Sequence, residues 1–303
     1  MAAVRGVGFS SAVQEDIHFD QLRRNLDEAE ELGVDFVELP LFAMDVVSGG
    51  RVLEAQMHRL HDALKARSLG YTAHGPIALN FMERPEIVAR HLDVARAAIE
   101  VAAGIGAVHL ILHTGHTTAE TEAEIEALYA TQREAFASLG EFAAKHSMTI
   151  AVENIFVTGP KQHTALPSRL AREIEAIGHP NIGGCLDFSH AALTSAARGA
   201  DFLSEAKALA RVARHLHIHD SFGNPANMWT FSRSERLAYG LGDLHLPIGW
   251  GSLPWHEMMA SFTFQPDVIF NLELPVQFWF ALSDSVGAVR EMIQVYQARD
   301  SKS

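Results

Sequence analysis

Acidic residues and histidines recur at the ends of short apolar stretches along this 303-residue chain. The clearest case lies in residues 183–190, where Asp187 and His190 stand three residues apart at the end of an apolar run. A carboxylate and an imidazole that face the same space are suitable ligands for a borderline cation such as Zn²⁺ or Mn²⁺. The sequence therefore predicts metal-ion chemistry at this position.

Seven further residues of the same types end other apolar runs or follow them closely. They are His74, His113, Glu153, His217, Asp243, His245 and Glu273. Five more are candidates for contacting a substrate or for orienting the ligands, namely Glu38, His116, His219, Asp220 and Trp250. Glu38 could equally pair with a neighbouring arginine. His109 and His215 lie earlier in their runs, and we expect them to be hydrogen-bonded structural residues.

Strands and helices are predicted to alternate through the whole chain. The apolar runs predict eight strands, at 4–10, 34–41, 71–76, 107–114, 148–155, 182–188, 214–221 and 268–274. A helix follows each strand, the one after the sixth being predicted at 202–213. This rhythm predicts an α/β fold, a single (β/α)8 TIM barrel that forms one domain over residues 1–303. The seventh strand is followed by an enlarged loop at 222–254.

In such a barrel all the carboxyl ends of the strands meet on the face where active sites lie. Carboxylates that are buried together there require cations, because removing each from water costs several kcal/mol. Nine ligands are too many for one tetrahedral ion, so they suit up to three ions that share a bridging carboxylate. We expect Zn²⁺, with Mn²⁺ or another divalent ion as the alternative.

The composition limits the class of partner. The formal net charge is −13, with 24 Lys+Arg against 37 Asp+Glu, which argues against nucleic acid because such binding depends on cationic side chains. No apolar run approaches the roughly 18 residues that a membrane span needs. The single cysteine, Cys185, and the lack of a signal-peptide pattern predict a cytoplasmic protein. We therefore expect a small-molecule substrate.

Together these residues resemble the xylose isomerase-like TIM-barrel superfamily, which includes sugar phosphate isomerases and epimerases. In the pattern of the metal site they are most similar to the trinuclear zinc enzymes of the endonuclease IV family. The resemblance implies that one ion is held by His74, His113 and Glu153, a second by Glu153, Asp187, His217 and Glu273, and a third by His190, Asp243 and His245.

The sequence differs from the endonuclease IV family in the loops with which that family binds DNA. The loop after the second predicted strand has Arg51 as its only basic residue, and the tyrosine wedge that the family carries after the residue matching His74 is missing. The metal site therefore resembles that family more closely than the DNA-binding loops do.

Three functions follow, in order of expectation. The first is a multinuclear, metal-dependent hydrolase of a small, sugar-containing phosphate ester or phosphodiester, in which Glu153 and Glu273 are catalytic. The alternative is a sugar or sugar-phosphate isomerase or epimerase that uses one metal ion, with the same two glutamates moving protons. An abasic-site DNA endonuclease ranks last.

The aromatic residues Phe278, Trp279 and Phe280 could cap the pocket or form the contact of a homo-oligomer.

Overall fold

Eight parallel strands form the centre of the protein. The structure is a computed structural model that describes residues 3–11, 19–157, 159 and 161–300. The barrel strands are β1 (Val4–Ser10), β2 (Phe36–Pro40), β3 (Gly70–His74), β4 (Ala107–His113), β5 (Thr149–Glu153), β6 (Ile182–Asp187), β7 (Ala213–Ile218) and β8 (Val268–Leu272).

The strands follow one another around the barrel, and β1 closes it by pairing with both β2 and β8. In this closure Phe9 is opposite Val37 on one side and Leu272 on the other. Every residue of β2, β6 and β8 is buried, as expected when helices cover a parallel sheet from outside. The predicted (β/α)8 barrel is confirmed.

The helices surround this sheet. They are α1 (Phe19–Leu32), α2 (Glu54–Leu64), α3 (Pro85–Gly104), α4 (Glu122–Ala144), α5 (Pro167–Ile177), α6 (Phe188–Arg198), α7 (Phe202–Ala210), α8 (Arg233–Tyr239), α9 (Trp255–Ser261) and α10 (Leu282–Asp300). Short 3-10 turns lie at Leu41–Ala43 and Val276–Ala281. None of the helices that the structure describes combines the length and the apolar character needed to cross a membrane.

Two helices, not one, follow β6. The helix predicted at 202–213 is α7, but α6 begins immediately after β6 and was not predicted. Asp187 caps α6, because its side chain accepts a hydrogen bond from the backbone N–H of His190. Gly199 ends the helix in the left-handed conformation, at φ 64°. The cap and the glycine are local signals that could have identified α6 from the sequence.

The enlarged loop after β7 is present and contains α8. Asp220 fixes its base, because the carboxylate accepts hydrogen bonds from the backbone N–H groups of Ser221 (2.9 Å), Gly249 (2.8 Å) and Leu253 (3.3 Å). Gly251 passes so close to the backbone of Ser221 that a Cβ atom would overlap with it. The loop therefore has a rigid attachment beside the carboxyl end of the barrel.

Replacing this attachment tests its contribution to stability. We expect Asp220→Ala to lower the free energy of unfolding by about 3 kcal/mol, because buried N–H groups lose their acceptor. Asp220→Asn keeps one acceptor oxygen and should cost less. Urea denaturation measures both, with Asp45→Ala on the exposed surface as the control. Equal stability of Asp220→Ala and the control would contradict this account.

Candidate metal centre

The register of the strands brings the predicted ligands side by side. His113 at the end of β4 is opposite Glu153 at the end of β5, and Asp187 at the end of β6 is opposite His217 in β7. His74 ends β3, and Glu273 follows β8, where its backbone N–H donates to Ile218. Asp243 and His245 reach the same place from the enlarged loop. All nine predicted ligands therefore converge on one face of the barrel.

Glu153 is the centre of the cluster. Its Oε2 lies 3.2 Å from His74 Nε2 and 3.4 Å from His113 Nε2, and its Oε1 lies 3.2 Å from the Nδ1 atoms of both His190 and His217. Burial alone would raise the pKa of Glu153, but the surrounding imidazoles hold it well below its usual range. The carboxyl group is therefore ionised while four imidazoles face it.

His113 differs from the other imidazoles in this cluster. Burial lowers the pKa of His113 to about 4, which outweighs the opposing effect of Glu153. Its ring is therefore neutral at pH 7, and a neutral imidazole has a lone pair to offer. This is the state that a metal ligand requires.

The first turn of α6 orients Asp187 and His190. Asp187 Oδ1 accepts the backbone N–H of His190 at 2.7 Å, and its Oδ2 lies 3.0 Å from His219 Nε2. The ring of His190 turns back into the site, where Nδ1 lies 3.6 Å from Asp187 Oδ2. Burial would lower the pKa of His190, but the carboxylates of Asp187 and Asp243 raise it well above its usual range.

Asp243 and His245 form the third predicted group with His190. Asp243 Oδ2 lies 2.7 Å from His245 Nε2 and 3.4 Å from His190 Nε2, and Ser189 donates to its Oδ1 at 3.0 Å. His245 has φ 48°, an uncommon conformation for a residue other than glycine, and its ring stacks on His219 with centroids 3.8 Å apart. A direct charge-assisted hydrogen bond thus joins Asp243 and His245, two of the three members of this group.

Glu273 faces the same nitrogen of His217 as Glu153 does. Its Oε2 lies 3.5 Å from His217 Nδ1 and 3.8 Å from His245 Nδ1. Its Oε1 lies 3.3 Å from Ser10 Oγ, whose single proton is shared between Glu273 and Glu38, and Ser10 in turn receives a hydrogen bond from Asn271 at 2.9 Å. The first and last strands of the barrel therefore set the position of this carboxylate together.

Glu38 lies beneath the cluster, inside the barrel. Its Oε1 is 3.3 Å from His217 Nε2, and its Oε2 is 3.1 Å from His215 Nε2. Ser10 and Thr72 donate hydrogen bonds to it at 3.0 and 3.3 Å. Burial would raise the pKa of Glu38, but the imidazoles of His217 and His215 hold it well below its usual range. It thus pairs with histidines and not with an arginine.

These residues fit a divalent cation. Among the described residues, no recorded partner of the five carboxylates at Glu38, Glu153, Asp187, Asp243 and Glu273 is a lysine or an arginine. The buried Nδ1 of His217 has no hydrogen-bond partner, although oxygens of Glu153 and Glu273 lie 3.2 and 3.5 Å away. Donors that share one tetrahedral ion lie about 3.3–3.6 Å apart, which matches these separations.

A cavity of about 680 Å³ opens above the cluster. His74, His113, Glu153, His190, Asp243, His245 and Glu273 line it, together with the candidate substrate contact His116. Glu38, His219 and Asp220 are buried and lie outside the lining. Trp250 also lies outside it, and its ring packs on those of Phe278 and Phe280. Of the five candidate contacts, only His116 therefore faces the cavity.

Sequence reasoning missed several residues of the lining. Ser10 and Ser11 stand at the carboxyl end of β1, and that position alone could have identified them. Phe42 packs against His74, and Phe156 against His190, with ring centroids 5.1 and 4.9 Å apart. No residue type or spacing distinguishes these phenylalanines from core residues in the sequence.

The pairing of Glu38 with His217 Nε2 predicts a role in metal affinity. By accepting the Nε2 proton, Glu38 leaves Nδ1 as the nitrogen that can give up its proton and bind an ion between Glu153 and Glu273. We expect Glu38→Gln to weaken binding of Mn²⁺ or Zn²⁺ by about 10–100-fold. Isothermal calorimetry measures the affinity, and circular dichroism checks the fold.

Glu86→Gln, on the exposed face of α3, is the matched control. Unchanged affinity in Glu38→Gln would show that the orientation of His217 does not depend on this carboxylate.

Comparison with known proteins agrees with this geometry. The family profile described as "Xylose isomerase-like TIM barrel" matches residues 26–296. Among curated proteins none matches the chain. A solved D-tagatose 3-epimerase-like protein has a TM-score of 0.70 at 17% identity, with 97% of this chain and 99% of that chain covered. An L-ribulose 3-epimerase has a TM-score of 0.62 at 15% identity, with coverage of 99% and 97%.

The structure of an IOLI protein with a bound zinc atom has a TM-score of 0.67 at 14% identity, with coverage of 97% and 99%. At these identities the likeness shows the fold. The prediction of a phosphate-ester hydrolase is nevertheless wrong, because the similar structures carry epimerase names and favour the isomerase or epimerase alternative. The chain belongs to the xylose isomerase-like TIM-barrel family.

Proposed function

We propose that the protein is a metal-dependent isomerase or epimerase of ketose sugars, which transfers a proton at a carbon next to the carbonyl group. The observation that carries the proposal is the placement of two carboxylates, Glu153 and Glu273, at the base of one cavity beside the unpartnered Nδ1 of His217. Proton transfer next to a carbonyl requires positioned bases of this kind. The epimerase names of the similar structures support the same chemistry.

One divalent cation, Mn²⁺ or Zn²⁺, is held in this proposal by Glu153, Asp187, His217 and Glu273. The bound cation polarises the carbonyl group and stabilises negative charge on the adjacent oxygens. The zinc atom in the similar IOLI structure supports a site for such an ion. We propose a single ion because proton transfer next to a carbonyl needs only one; His190, Asp243 and His245 are the group that a further ion would occupy.

The protein's own groups move the proton. Ser10 holds Oε1 of Glu273, which leaves Oε2 directed towards the centre of the site to accept a proton from the substrate carbon. The electron pair of the C–H bond then forms the carbon–carbon double bond of the enediolate. Glu153 faces the site from the end of β5. It relays a proton from an imidazole that faces it, such as that of His190, to the opposite face of the enediolate, which inverts the configuration at that carbon. The proton held by Glu273 leaves to solvent after the product departs, and the imidazole takes up a proton in exchange.

Burial of Glu153 also limits the access of water during the proton transfer. Its side chain is 1% exposed, so bulk water reaches that carboxylate only through the cavity. A substrate that fills the cavity excludes this water while the proton moves, and the catalytic groups exchange their protons with solvent after the product leaves. The imidazoles around Glu153 hold the carboxylate in position and compensate its negative charge.

Replacing either glutamate tests the reaction. We expect metal-loaded protein in D₂O to incorporate deuterium at the carbon next to the carbonyl of a ketose, and to form its epimer or aldose. Glu153→Gln and Glu273→Gln should each lower the rate by about 10²–10⁴-fold, because a neutral amide cannot accept the proton. Proton NMR follows the incorporation of deuterium and the formation of the epimer or aldose, with Glu86→Gln as the control. Full activity in either variant, or no exchange with a panel of ketoses, would refute the proposed reaction.

Metal content tests the number of ions. We expect about one divalent ion per chain in the wild type and in Asp243→Ala, and a large loss of metal in Asp187→Ala and His217→Ala, because only the latter two remove a ligand. Elemental analysis after dialysis gives the number, and thermal melting shows whether each variant is folded. A lower content in Asp243→Ala than in the wild type would assign an ion to the third group.

A further inference from the structure

The walls of the cavity differ from its floor in chemical character. The floor consists of the histidines and carboxylates described above. The walls are mainly apolar and come from Phe42, Ile77, Ile155, Phe156, Leu274 and Val276, with the polar residues Ser10, Ser11, Gln162 and Gln277 beside them. Ile77 is 50% exposed and Val276 is 40% exposed, so apolar side chains also form part of the rim.

The aromatic walls lie directly against the floor. Phe42 contacts the imidazole of His74, which faces Oε2 of Glu153, and Phe156 contacts the imidazole of His190, which faces Oε1. A molecule whose polar end reaches Glu153 therefore has its remaining atoms beside phenylalanine rings. Such atoms gain free energy by leaving water if they are apolar.

Lysine and arginine are missing from the described part of this wall. No lysine or arginine lines the cavity among the residues that the structure describes, and residues 12–18, which follow the lining residue Ser11, contain neither type in the sequence. Arginines on the outer helices are paired instead, as in the contacts of Arg133 with Glu173 and of Arg169 with Glu126. Lys161, next to the lining residue Gln162, is exposed to solvent.

A phosphate group would be poorly accommodated in this environment. A phosphate monoester carries nearly two negative charges at pH 7 and is normally held by arginine, lysine or backbone N–H groups. Here it would lie against the apolar part of the lining, where no lysine or arginine faces it among the residues that the structure describes. Taking such a charged group out of water without a cationic partner costs several kcal/mol, so the site disfavours phosphorylated sugars.

We propose that the substrate is an uncharged ketose derivative whose far end carries an apolar substituent, such as a deoxy carbon or an alkyl or aryl group, and no phosphate or carboxylate. This inference rests on the proposed isomerase or epimerase function and assigns its substrate class. The polyol end faces the carboxylates and histidines of the floor, and the apolar substituent lies against Phe42, Phe156 and Val276.

Three matched substrates test the inference: a free ketose, the same ketose with a terminal phosphate, and the same ketose with a terminal benzyl ether. Deuterium exchange by metal-loaded wild-type protein gives kcat/KM for each. We expect the free ketose to exceed its phosphate by about 100-fold, because the phosphate loses hydration without gaining a cationic partner. The benzyl ether should exceed the free ketose by about tenfold, because its ring becomes buried.

A substitution at the rim tests the charge argument. In Val276→Arg we expect the ratio of kcat/KM for the phosphate to that for the free ketose to rise about tenfold or more, because a guanidinium then faces the phosphate. Val276→Gln is the matched uncharged control and should leave that ratio near its wild-type value. Lys161→Ala should also leave the ratio unchanged.

A wild-type preference for the phosphate would overturn the inference while leaving the proposed function intact. Loss of phosphate turnover in Lys161→Ala would identify the cation responsible and would overturn it equally. Calorimetry with Mn²⁺-loaded protein measures the binding affinity of each substrate independently of turnover. Phosphate binding as tight as that of the benzyl ether would refute the substrate class even if no ketose is converted.

Discussion

Buried negative charge without lysine or arginine partners is the constraint on which the rest of this structure depends. Glu38, Glu153 and Asp187 are almost wholly inaccessible to solvent, and among the described residues their recorded charged partners are all histidines. Ionised groups taken out of water are destabilising unless opposite charge compensates them. The barrel supplies that compensation with imidazoles and, in our account, with one bound cation.

His217 lies between Glu38, inside the barrel, and the two carboxylates below the cavity. Its Nε2 faces Glu38 inside the barrel, while its Nδ1 faces Glu153 and Glu273 below the cavity. The ring is completely buried, so its orientation is determined by these carboxylates and by the register of β7 with its neighbours. A residue deep in the barrel can therefore control the chemistry at the cavity without contacting a substrate.

Much of the fold and of the site could be predicted from the sequence. Continuous apolar runs with polar residues at their ends indicate parallel strands whose carboxyl ends converge, and the nine expected ligands do meet there. Residue types do not reveal the reaction, however. Asp243 and His245 have the identity of metal ligands and lie beside His190, but neither their identity nor their position distinguishes hydrolysis from proton transfer. The hydrolase prediction is wrong on the names that the similar structures carry, which no pattern in this sequence reveals.

Other residues escaped prediction because their roles depend on the direction of the side chain. Asp220 follows β7 immediately, as a ligand could, but its carboxylate turns to the backbone of the enlarged loop. Trp250 packs on neighbouring phenylalanines outside the cavity. Phe42 and Phe156 reach the cavity wall from segments that no motif identifies. Only the three-dimensional arrangement distinguishes these cases.

A crystal structure of the protein grown with Mn²⁺, with anomalous scattering measured at the manganese edge, tests the central claim most directly. The account predicts one anomalous peak within about 2.0–2.4 Å of His217 Nδ1 and of oxygens from Glu153, Asp187 and Glu273. A site without a peak, in which these carboxylates remain paired with protonated histidines alone, would contradict it. So would a single peak confined to His190, Asp243 and His245.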